Sequence, residues 1–269
     1  MGRMTISLTW VDAFTEAKFA GNPAGVCLPG TSLSDDEMQA LAAELGISET
    51  AFLMPTDEAD TFGLRWFSPR VEIDLCGHAT LAAAHVLRAD GIVGGVAPVT
   101  FHTRSGPLIA SFEGDRIELD FPADPIVATL LPAALTGEWE EGQVVGVGST
   151  SFFLVVTVAS EAAVHNYQPN LDVIAAAGHR AVLLTAAAES GSGADYVLRV
   201  FGPNVGIDED PATGSAQCAV GPYWAAALDK PRLVARQVSP RGAVLHVRPE
   251  GDRVHIGGNA VTVFSGHLW

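Results

Sequence analysis

The amino-acid sequence predicts two similar lobes of mixed helices and strands. The chain has 269 residues, which is enough for two domains of ordinary size. The order of strand-like and helix-like stretches in the first half returns in outline in the second half. In each half a short glycine-containing motif leads into an alanine-rich helix. These observations indicate an internal repeat of one structural unit.

Strands are predicted where apolar residues alternate with polar ones or form short runs between turn residues. In the first half they lie at residues 5–13, 26–28, 50–54, 64–67, 99–102, 108–112 and 117–121. In the second half they lie at residues 151–157, 181–185, 196–201, 243–248, 253–257 and 260–264. Residues 71–75 are predicted to be a connector.

Helices are predicted from capping residues and from apolar spacing. Ser34 is a suitable N-cap, Glu37 lies three residues later as in a capping box, and Gly46 ends the helix. The two alanine-rich helices begin near Gly77 and Gly214, and a shorter helix lies near residues 171–177.

The proline-rich stretch at residues 120–125 is the predicted boundary between the lobes. The N-terminal lobe is then residues 1–124, and the last strand, at residues 260–269, is a candidate to join it. The C-terminal lobe is residues 125–269.

The composition narrows the class of protein. Hydrophobic residues make up 48% and charged residues 17%, which is typical of a folded globular chain. The net charge of −16, with no basic cluster, disfavours nucleic acid as a partner.

The N-terminus lacks the features of a signal peptide, and charges interrupt the long apolar stretches, so we expect a cytoplasmic protein without a membrane partner. The three cysteines are too scattered for a disulfide framework or a paired-thiol metal site, and we expect them to be buried.

The two alanine-rich helices begin with similar motifs. Asp74 to Ala79 leads into the first, and Asp210 to Ala216 leads into the second. A helix N-terminus presents unpaired N–H groups, and a glycine there lets an anion approach the backbone closely. Two such helix starts facing each other would hold one carboxylate. The alternative is that Gly77 and Gly214 only begin helices, with the polar residues after them acting as caps.

Three ionisable residues beside these motifs are candidates for proton transfer. Glu49 lies between a helix end and an apolar strand, where partial burial would raise its pKa towards the range of a proton shuttle. The alternative is a solvent-exposed glutamate at a strand edge. Asp210 is the last of three consecutive acidic residues. The alternative is that this acidic group only complements the dipole of the helix that follows. His78 can donate or accept a hydrogen bond near neutral pH.

Five motifs together resemble the PhzF-like phenazine-biosynthesis isomerase family. They occur in the family's order and are spread over most of the chain: Phe19 to Ala24, Ile47 to Phe52, Asp74 to Thr80, Asp120 to Pro122 and Glu209 to Ala216. The set is specific, although no single motif is.

The resemblance implies an α+β fold like that of diaminopimelate epimerase. This fold has two pseudo-symmetric lobes, each a curved, mostly antiparallel sheet wrapped around a central helix, with the active site in the cleft. It also implies a homodimer that uses no metal or organic cofactor. In the phenazine-pathway member, a glutamate isomerises a dihydro-hydroxyanthranilate by moving a ring proton.

Carried over by motif, the resemblance assigns catalytic and binding roles. Glu49 is the acid/base, and Asp210, His78 and Ser215 are the supporting polar groups. The small carboxylate substrate is expected to contact Gly77, Gly214, Thr213, Ala79 and Ala216. One departure is Gln217, where many relatives have histidine, and it leaves the identity of the substrate open.

Two other functions remain open. In a two-base amino-acid epimerase a pair of thiols exchanges the proton, and Cys76 and Cys218 each lie beside a motif. Cys218, three residues inside its helix from Ser215, is expected to face away from the helix start, and a buried structural thiol is the alternative role. The second open function is that of a binding protein of the same fold without turnover. The presence of Glu49 together with Asp210 disfavours it, because a binding protein has no need of both. A Rossmann dehydrogenase is disfavoured because no G-x-G-x-x-G motif follows an early strand.

Overall fold

The computed structural model describes residues 6–29, 32–94 and 97–268, with the side chain of residue 29 left out. Thr5, where the first predicted strand begins, lies outside these residues. The chain divides into two compact units, Met1–Asp120 with Gly257–Trp269 (unit 1) and Phe121–Ile256 (unit 2). The division after residue 120 falls within the stretch at residues 120–125, four residues before the predicted end of the N-terminal lobe, and the last strand belongs to unit 1.

The described residues of unit 1 contain two helices, and most of the strands of this unit lie in the first half of the chain. The helices are α1 Asp35–Leu45 and α2 Gly77–Ala89. The strands are β1 Ile6–Ala13, β2 Asn22–Pro29, β3 Glu49–Pro55, β4 Thr61–Phe67, β5 Glu72–Ile73, β6 Val99–Thr103, β7 Gly106–Glu113 and β8 Arg116–Pro122, which ends in unit 2.

Unit 2 contains three helices, α3 Glu161–Asn166, α4 Leu171–Ala176 and α5 Gly214–Leu228. Short 3₁₀ turns lie at Ala133–Leu135 and Pro203–Val205. Its strands are β9 Val127–Ala128, β10 Val144–Ser149, β11 Phe153–Val158, β12 Ala181–Ala187, β13 Tyr196–Gly202, β14 Ile207–Asp210, β15 Leu233–Gln237, β16 Ala243–Glu250 and β17 Arg253–Gly258, which ends in unit 1. The last strand of the chain, β18 Ala260–Leu268, lies in unit 1.

The strand pairings confirm the predicted repeat. In unit 1 the pairs β1–β2, β2–β3, β3–β4, β4–β6 and β6–β7 are antiparallel, parallel, antiparallel, parallel and antiparallel. In unit 2 the pairs β10–β11, β11–β12, β12–β13, β13–β15 and β15–β16 follow the same alternation. The fold is therefore sheet-dominated α+β with two pseudo-symmetric units, as predicted.

Each unit packs its sheet on an alanine-rich helix. Helix α2 contacts β1, β2, β3 and β18, and α5 contacts β15 and β16. Small residues allow this approach, because a Cβ on Gly221 of α5 would lie 2.6 Å from the Cγ1 of Val247 in β16. Among the described residues, no helix is both long and apolar enough to cross a membrane.

Helix α1 has the predicted caps. The Ser34 side chain accepts from the backbone N–H of Glu37, whose carboxylate accepts from the N–H of Ser34 in return. Gly46 ends the helix with φ of 64°, a conformation that favours glycine. Both caps are local in sequence, which is why the pattern identified them.

Several elements of unit 2 were not predicted. They include β9, β10, α3, β14 and β15, and β10 contains two glycines, at positions 146 and 148. The connector predicted at residues 71–75 contains the two-residue strand β5. Strand β15 is the most important omission, because its last residue, Gln237, contacts the start of α5.

Candidate active site

The alanine-rich helices both begin without a side-chain cap. Cys76 is the N-cap of α2 and Thr213 is the N-cap of α5, and neither side chain makes a capping hydrogen bond. The N–H groups of the first turn have no partner within a helix, so these starts are suited to hold an anion. His78 and Ser215 are each the second residue of their helix rather than caps.

In unit 1, Glu49 and His78 form a buried pair beside the start of α2. Glu49 is the first residue of β3 and is 8% exposed, which excludes the solvent-exposed strand-edge alternative. The Nε2 atom of His78 lies 3.2 Å from Oε2 of Glu49. Strand β3 begins three residues after the αL turn at Gly46, and its register places Glu49 opposite Ala24 of β2.

The His78 ring has a different partner on each side. Its Nδ1 atom lies 3.6 Å from the sulfur of Cys76, and its Nε2 is also 3.5 Å from the hydroxyl of Ser48. Both ring nitrogens are therefore engaged, and the imidazole is fixed in orientation. Cys76 is buried, as predicted, but its contact with His78 was not predicted.

The start of β2 and the loop before it support this group. The Ser48 hydroxyl donates to the carbonyl of Pro23 and lies 3.4 Å from Oδ1 of Asn22. Upstream, the carboxylate of Asp12 accepts from the backbone N–H of Phe19 at 2.7 Å. Gly21 has φ of 63°, and a Cβ there would lie 2.1 Å from the carbonyl oxygen of Ala13. The motif at residues 19–24 is therefore a structural support for Ser48.

The electrostatics of the pair differ from the sequence prediction for Glu49. Burial raises the pKa of Glu49, but the hydrogen bond and charge of His78, with smaller contributions from Ser48 and Cys76, outweigh it and lower the pKa below its ordinary value. The predicted upward shift was wrong because the sequence does not show that His78 lies against the carboxylate. Glu49 is therefore a carboxylate in its resting state.

His78 and Cys76 are shifted in the opposite direction. Burial lowers the pKa of His78, but the sulfur of Cys76 and the carboxylate of Glu49 raise it well above its ordinary value. Burial raises the pKa of Cys76, so its thiol stays protonated near neutral pH. Because the thiol is neutral, the charge that favours the imidazolium is that of Glu49.

Glu49, Cys76 and His78 are also the one group of potential metal ligands found within the described ranges, with donor atoms within 4.8 Å of one another. Glu49 lies against Nε2 of His78, whereas Cys76 lies against Nδ1. The contacts of His78 with both partners, and the hydrogen bond between Cys76 and Glu49, make this group a hydrogen-bonded triad.

In unit 2, a network of hydrogen bonds surrounds the start of α5. Asp210 is the last residue of β14, is partly buried, and accepts a hydrogen bond from the Thr213 hydroxyl at 2.5 Å. Of the other acids in the trio, Asp208 is exposed and Glu209 is paired with Arg199 at 2.8 Å. Only Asp210 is bonded to the N-cap residue of α5.

The other predicted binding residues contribute in different ways. Ala79 and Ala216 are fully buried, so only their backbone N–H groups are suited to contact a ligand. Ser215 is exposed, Gly77 is partly buried and Gly214 is buried. Each of these residues lies in the first turn of its helix.

Gln217, the departure from the family motif in the sequence, is a buried structural residue. Its side chain is fully buried, accepts from the Tyr196 hydroxyl at 2.5 Å and donates to the carbonyl of Thr213 at 3.1 Å. Cys218 is buried beside it, and its carbonyl accepts from the N–H of Asp124.

A separate depression of about 580 Å³ lies at the other end of α2. Four of its polar side chains make hydrogen bonds: His85 bonds Thr262, Asn259 donates to Glu16, and Arg88 donates to the carbonyl of Gly114. Since these polar groups are already satisfied, we assign it no part in the site.

Comparisons with known proteins identify the family of the chain and its relatives. The family model described as phenazine biosynthesis-like protein matches residues 11–266. The chain belongs to this family. An uncharacterized isomerase of Halalkalibacterium halodurans is 42% identical over 269 residues, covering 98% of this chain and 99% of the relative. Phenazine biosynthesis-like domain-containing protein 2 of mouse is 40% identical over 290 residues, with the same coverage.

Solved structures agree with this family. A phenazine biosynthesis protein of the PhzF family from Enterococcus faecalis has a TM-score of 0.90 and 35% identity, covering 99% of this chain and 100% of that one. A hydroxyproline epimerase of Agrobacterium vitis has a TM-score of 0.60 at 14% identity, covering 98% and 92%, and shows the fold alone. With relatives named isomerases over nearly its full length, this phenazine biosynthesis-like protein is an enzyme of the isomerase class.

Proposed function

We propose that the protein moves a proton on a small substrate that carries a carboxylate, with Glu49 as the acid/base and without a cofactor. The observation that carries the proposal is the buried carboxylate of Glu49, held by the Nε2 of His78 at 3.2 Å. A base must be unprotonated to accept a proton, and the lowered pKa of Glu49 provides this form.

The proposed step balances without an oxidant or reductant. A C–H bond of the substrate breaks, its electron pair stays on the substrate as a delocalised anion, and the proton moves to a carboxylate oxygen of Glu49. The proton then returns to a different carbon, which shifts the double bond and restores the carboxylate. A base with a lowered pKa needs an acidified C–H bond, so stabilisation of the developing anion is an essential part of the proposal.

The helix starts supply hydrogen-bond donors of the kind this step needs. First-turn N–H groups of α2 and α5, at Gly77 and Gly214 and the residues after them, have no partner within their helices. We assign the first-turn N–H groups of each helix start, with the Ser215 hydroxyl at α5, to hydrogen bonds with anionic oxygens of the substrate or of the anion that develops on it. Thr213 is assigned to the support of Asp210, because its N–H donates to Gln237 and its hydroxyl donates to Asp210. Asp210 and His78 position these groups and Glu49 rather than accept the proton.

Deuterium exchange tests the role of Glu49. The enzyme is incubated in D₂O with a dihydro-hydroxyanthranilate and a panel of small cyclic and acyclic amino acids, and incorporation is followed by NMR. Glu49→Gln should reduce incorporation about 1000-fold, while calorimetry shows substrate binding within a few-fold of the unmodified enzyme.

The matched control is Glu44→Gln, an exposed glutamate of α1. It should exchange at the unmodified rate. Incorporation by Glu49→Gln at that same rate would overturn the proposed mechanism.

A second candidate function is amino-acid epimerisation with Cys76 as a proton donor. The contact of its sulfur with His78 at 3.6 Å, in the same group as Glu49, favours it. The test is deuterium wash-in at Cα of amino acids. Wash-in that is lost in Cys76→Ser supports epimerisation, and wash-in retained in that variant excludes it.

A further inference from the structure

The loop that carries Asp210 is held by a buried glutamine on β15. Gln237 has no exposed surface. Its Oε1 accepts from the backbone N–H of Thr213 at 2.7 Å, and its Nε2 donates to the carbonyl of Asp210 at 2.7 Å and to the hydroxyl of Thr213 at 3.1 Å. One side chain thus bonds both ends of the loop of residues 210–213.

Only one orientation of the Gln237 amide fits these partners. The Asp210 carbonyl can only accept and the Thr213 N–H can only donate, so the amide nitrogen must face the carbonyl and the oxygen must face the N–H. The nitrogen uses its two hydrogens on Asp210 and on the Thr213 hydroxyl. The hydroxyl therefore receives a hydrogen bond from Gln237 and directs its own hydrogen to the Asp210 carboxylate, 2.5 Å away.

The next residues of the chain add a further tie to the same loop. The Ser239 hydroxyl donates to the carbonyl of Pro211 at 2.8 Å and accepts from the N–H of Gly242 at 3.2 Å. The segment that follows β15 is itself fixed by a turn, so the loop is held against a rigid support.

We propose that Gln237 is a positioning residue: through the chain from its amide to the Thr213 hydroxyl and then to Asp210, it sets the direction in which the Asp210 carboxylate points. The same bonds withdraw the Thr213 N–H from ligand binding and leave the N–H groups of Gly214, Ser215 and Ala216 as the donors at the start of α5. The consequence for catalysis rests on the proposed function, but the arrangement itself is tested on the protein alone.

Unit 2 offers a close control in Gln217. It is also a fully buried glutamine, and it also bonds Thr213, through the carbonyl. Its other partner is Tyr196, and none of its hydrogen bonds described here goes to Asp210. Replacing either glutamine by methionine removes a buried amide of similar size, so a general loss of packing or hydrogen bonding affects both variants.

The experiment compares Gln237→Met with Gln217→Met by NMR of the full chain at fixed pH. The Asp210 ¹³Cγ resonance, assigned by its absence in Asp210→Asn, should move by more than its line width in Gln237→Met and in Thr213→Val, which lacks the hydroxyl of the chain. The amide hydrogen of Thr213 should exchange at least roughly tenfold faster in Gln237→Met. In Gln217→Met the resonance should stay in place.

A conservative variant separates the two functions of the amide. Gln237→Glu keeps an oxygen that accepts from the Thr213 N–H but loses the donors to Asp210 and to the Thr213 hydroxyl. The amide hydrogen of Thr213 should therefore exchange as slowly as in the unmodified protein, while the Asp210 resonance should still be displaced. It also provides the test if Gln237→Met does not fold.

An unmoved Asp210 resonance in the Gln237 variants, or an equal displacement in Gln217→Met, would overturn the inference. Neither result depends on turnover. Failure to find a substrate would therefore count against the proposed function and leave this result standing.

Discussion

The starts of helices α2 and α5 occupy equivalent places in two units with the same order of strand pairings, yet they carry different chemistry. The α2 start lies beside three ionisable side chains, Glu49, Cys76 and His78, whose donor atoms lie within 4.8 Å of one another. The α5 start is surrounded by neutral amides and hydroxyls that orient one carboxylate, Asp210. The repeated backbone supplies similar helix starts, and long-range neighbours decide whether each one is suited to exchange a proton or to orient a ligand.

The largest effect on stability is expected from His78→Ala, which removes the charged partner of the buried Glu49 carboxylate. An unpaired buried charge costs about 3 kcal/mol of unfolding free energy. Without the positioned imidazole, deuterium exchange should fall about 100-fold. Urea denaturation and the exchange assay measure the two losses.

His85→Ala is the control on the same helix. His85 bonds the Thr262 hydroxyl at 3.0 Å, and burial lowers its pKa, so no charge is left unpaired by its removal. It should cost only about 1 kcal/mol. Equal losses in both variants would show that α2 does not depend specifically on the ion pair.

The second prediction concerns the pH dependence of stability in unit 1. The lowered pKa of Glu49 makes its contribution present above its unfolded pKa, about 4.3, and lost as pH falls through the folded value. The raised pKa of His78 makes its contribution full below about 6.5 and lost as pH rises through the folded value. The pair should therefore stabilise the protein most between these two pH values.

The measurement is the difference in unfolding free energy between the unmodified protein and Glu49→Gln/His78→Gln across pH. It should be greatest between about pH 4.3 and 6.5 and decline on both sides. A difference that does not change with pH would contradict the ion pair.

The third prediction concerns the α5 start. Asp210→Asn keeps an oxygen that accepts from the Thr213 hydroxyl, so its stability should change by less than about 1 kcal/mol. Loss of the charge should reduce exchange roughly tenfold. A rate equal to that of the unmodified enzyme would remove Asp210 from the proposed mechanism.

The smallest effect on deuterium exchange is expected at α1, which has a conventional side-chain cap, unlike α2 and α5. Ser34→Ala removes the acceptor for the Glu37 N–H and should cost about 1 kcal/mol in denaturation, with no change in exchange rate. A change in the rate of deuterium exchange would contradict the expectation that the cap of α1 affects stability alone.

The parts of the structure that the sequence predicted are those with local causes or a repeated pattern. Ser34 and Gly46 were identified because a cap depends on residues within one turn. The similar entries of α2 and α5 were identified because the motif occurs twice. Burial of the three cysteines followed from their type.

The parts that were missed depend on contacts distant in sequence. His78 lies 29 residues after Glu49, so the sign of the Glu49 pKa shift was not visible in either motif. Gln237 lies 24 residues after Thr213, on a strand that the pattern did not reveal. Buried amides that bond backbone groups leave no periodic signal, because each such contact is specific to one loop.

The pairing of β18 with β1 has a consequence for how the chain is made. Ile6 is paired with Leu268, so the first described residues and the last ones share a ladder. During synthesis all of unit 2 leaves the ribosome before β18 does, and until then β1 has β2 as its partner but lacks β18. Strand β18 thus completes the sheet on which α2 packs, and with it the support of the Glu49 and His78 pair, only after unit 2 has been synthesised.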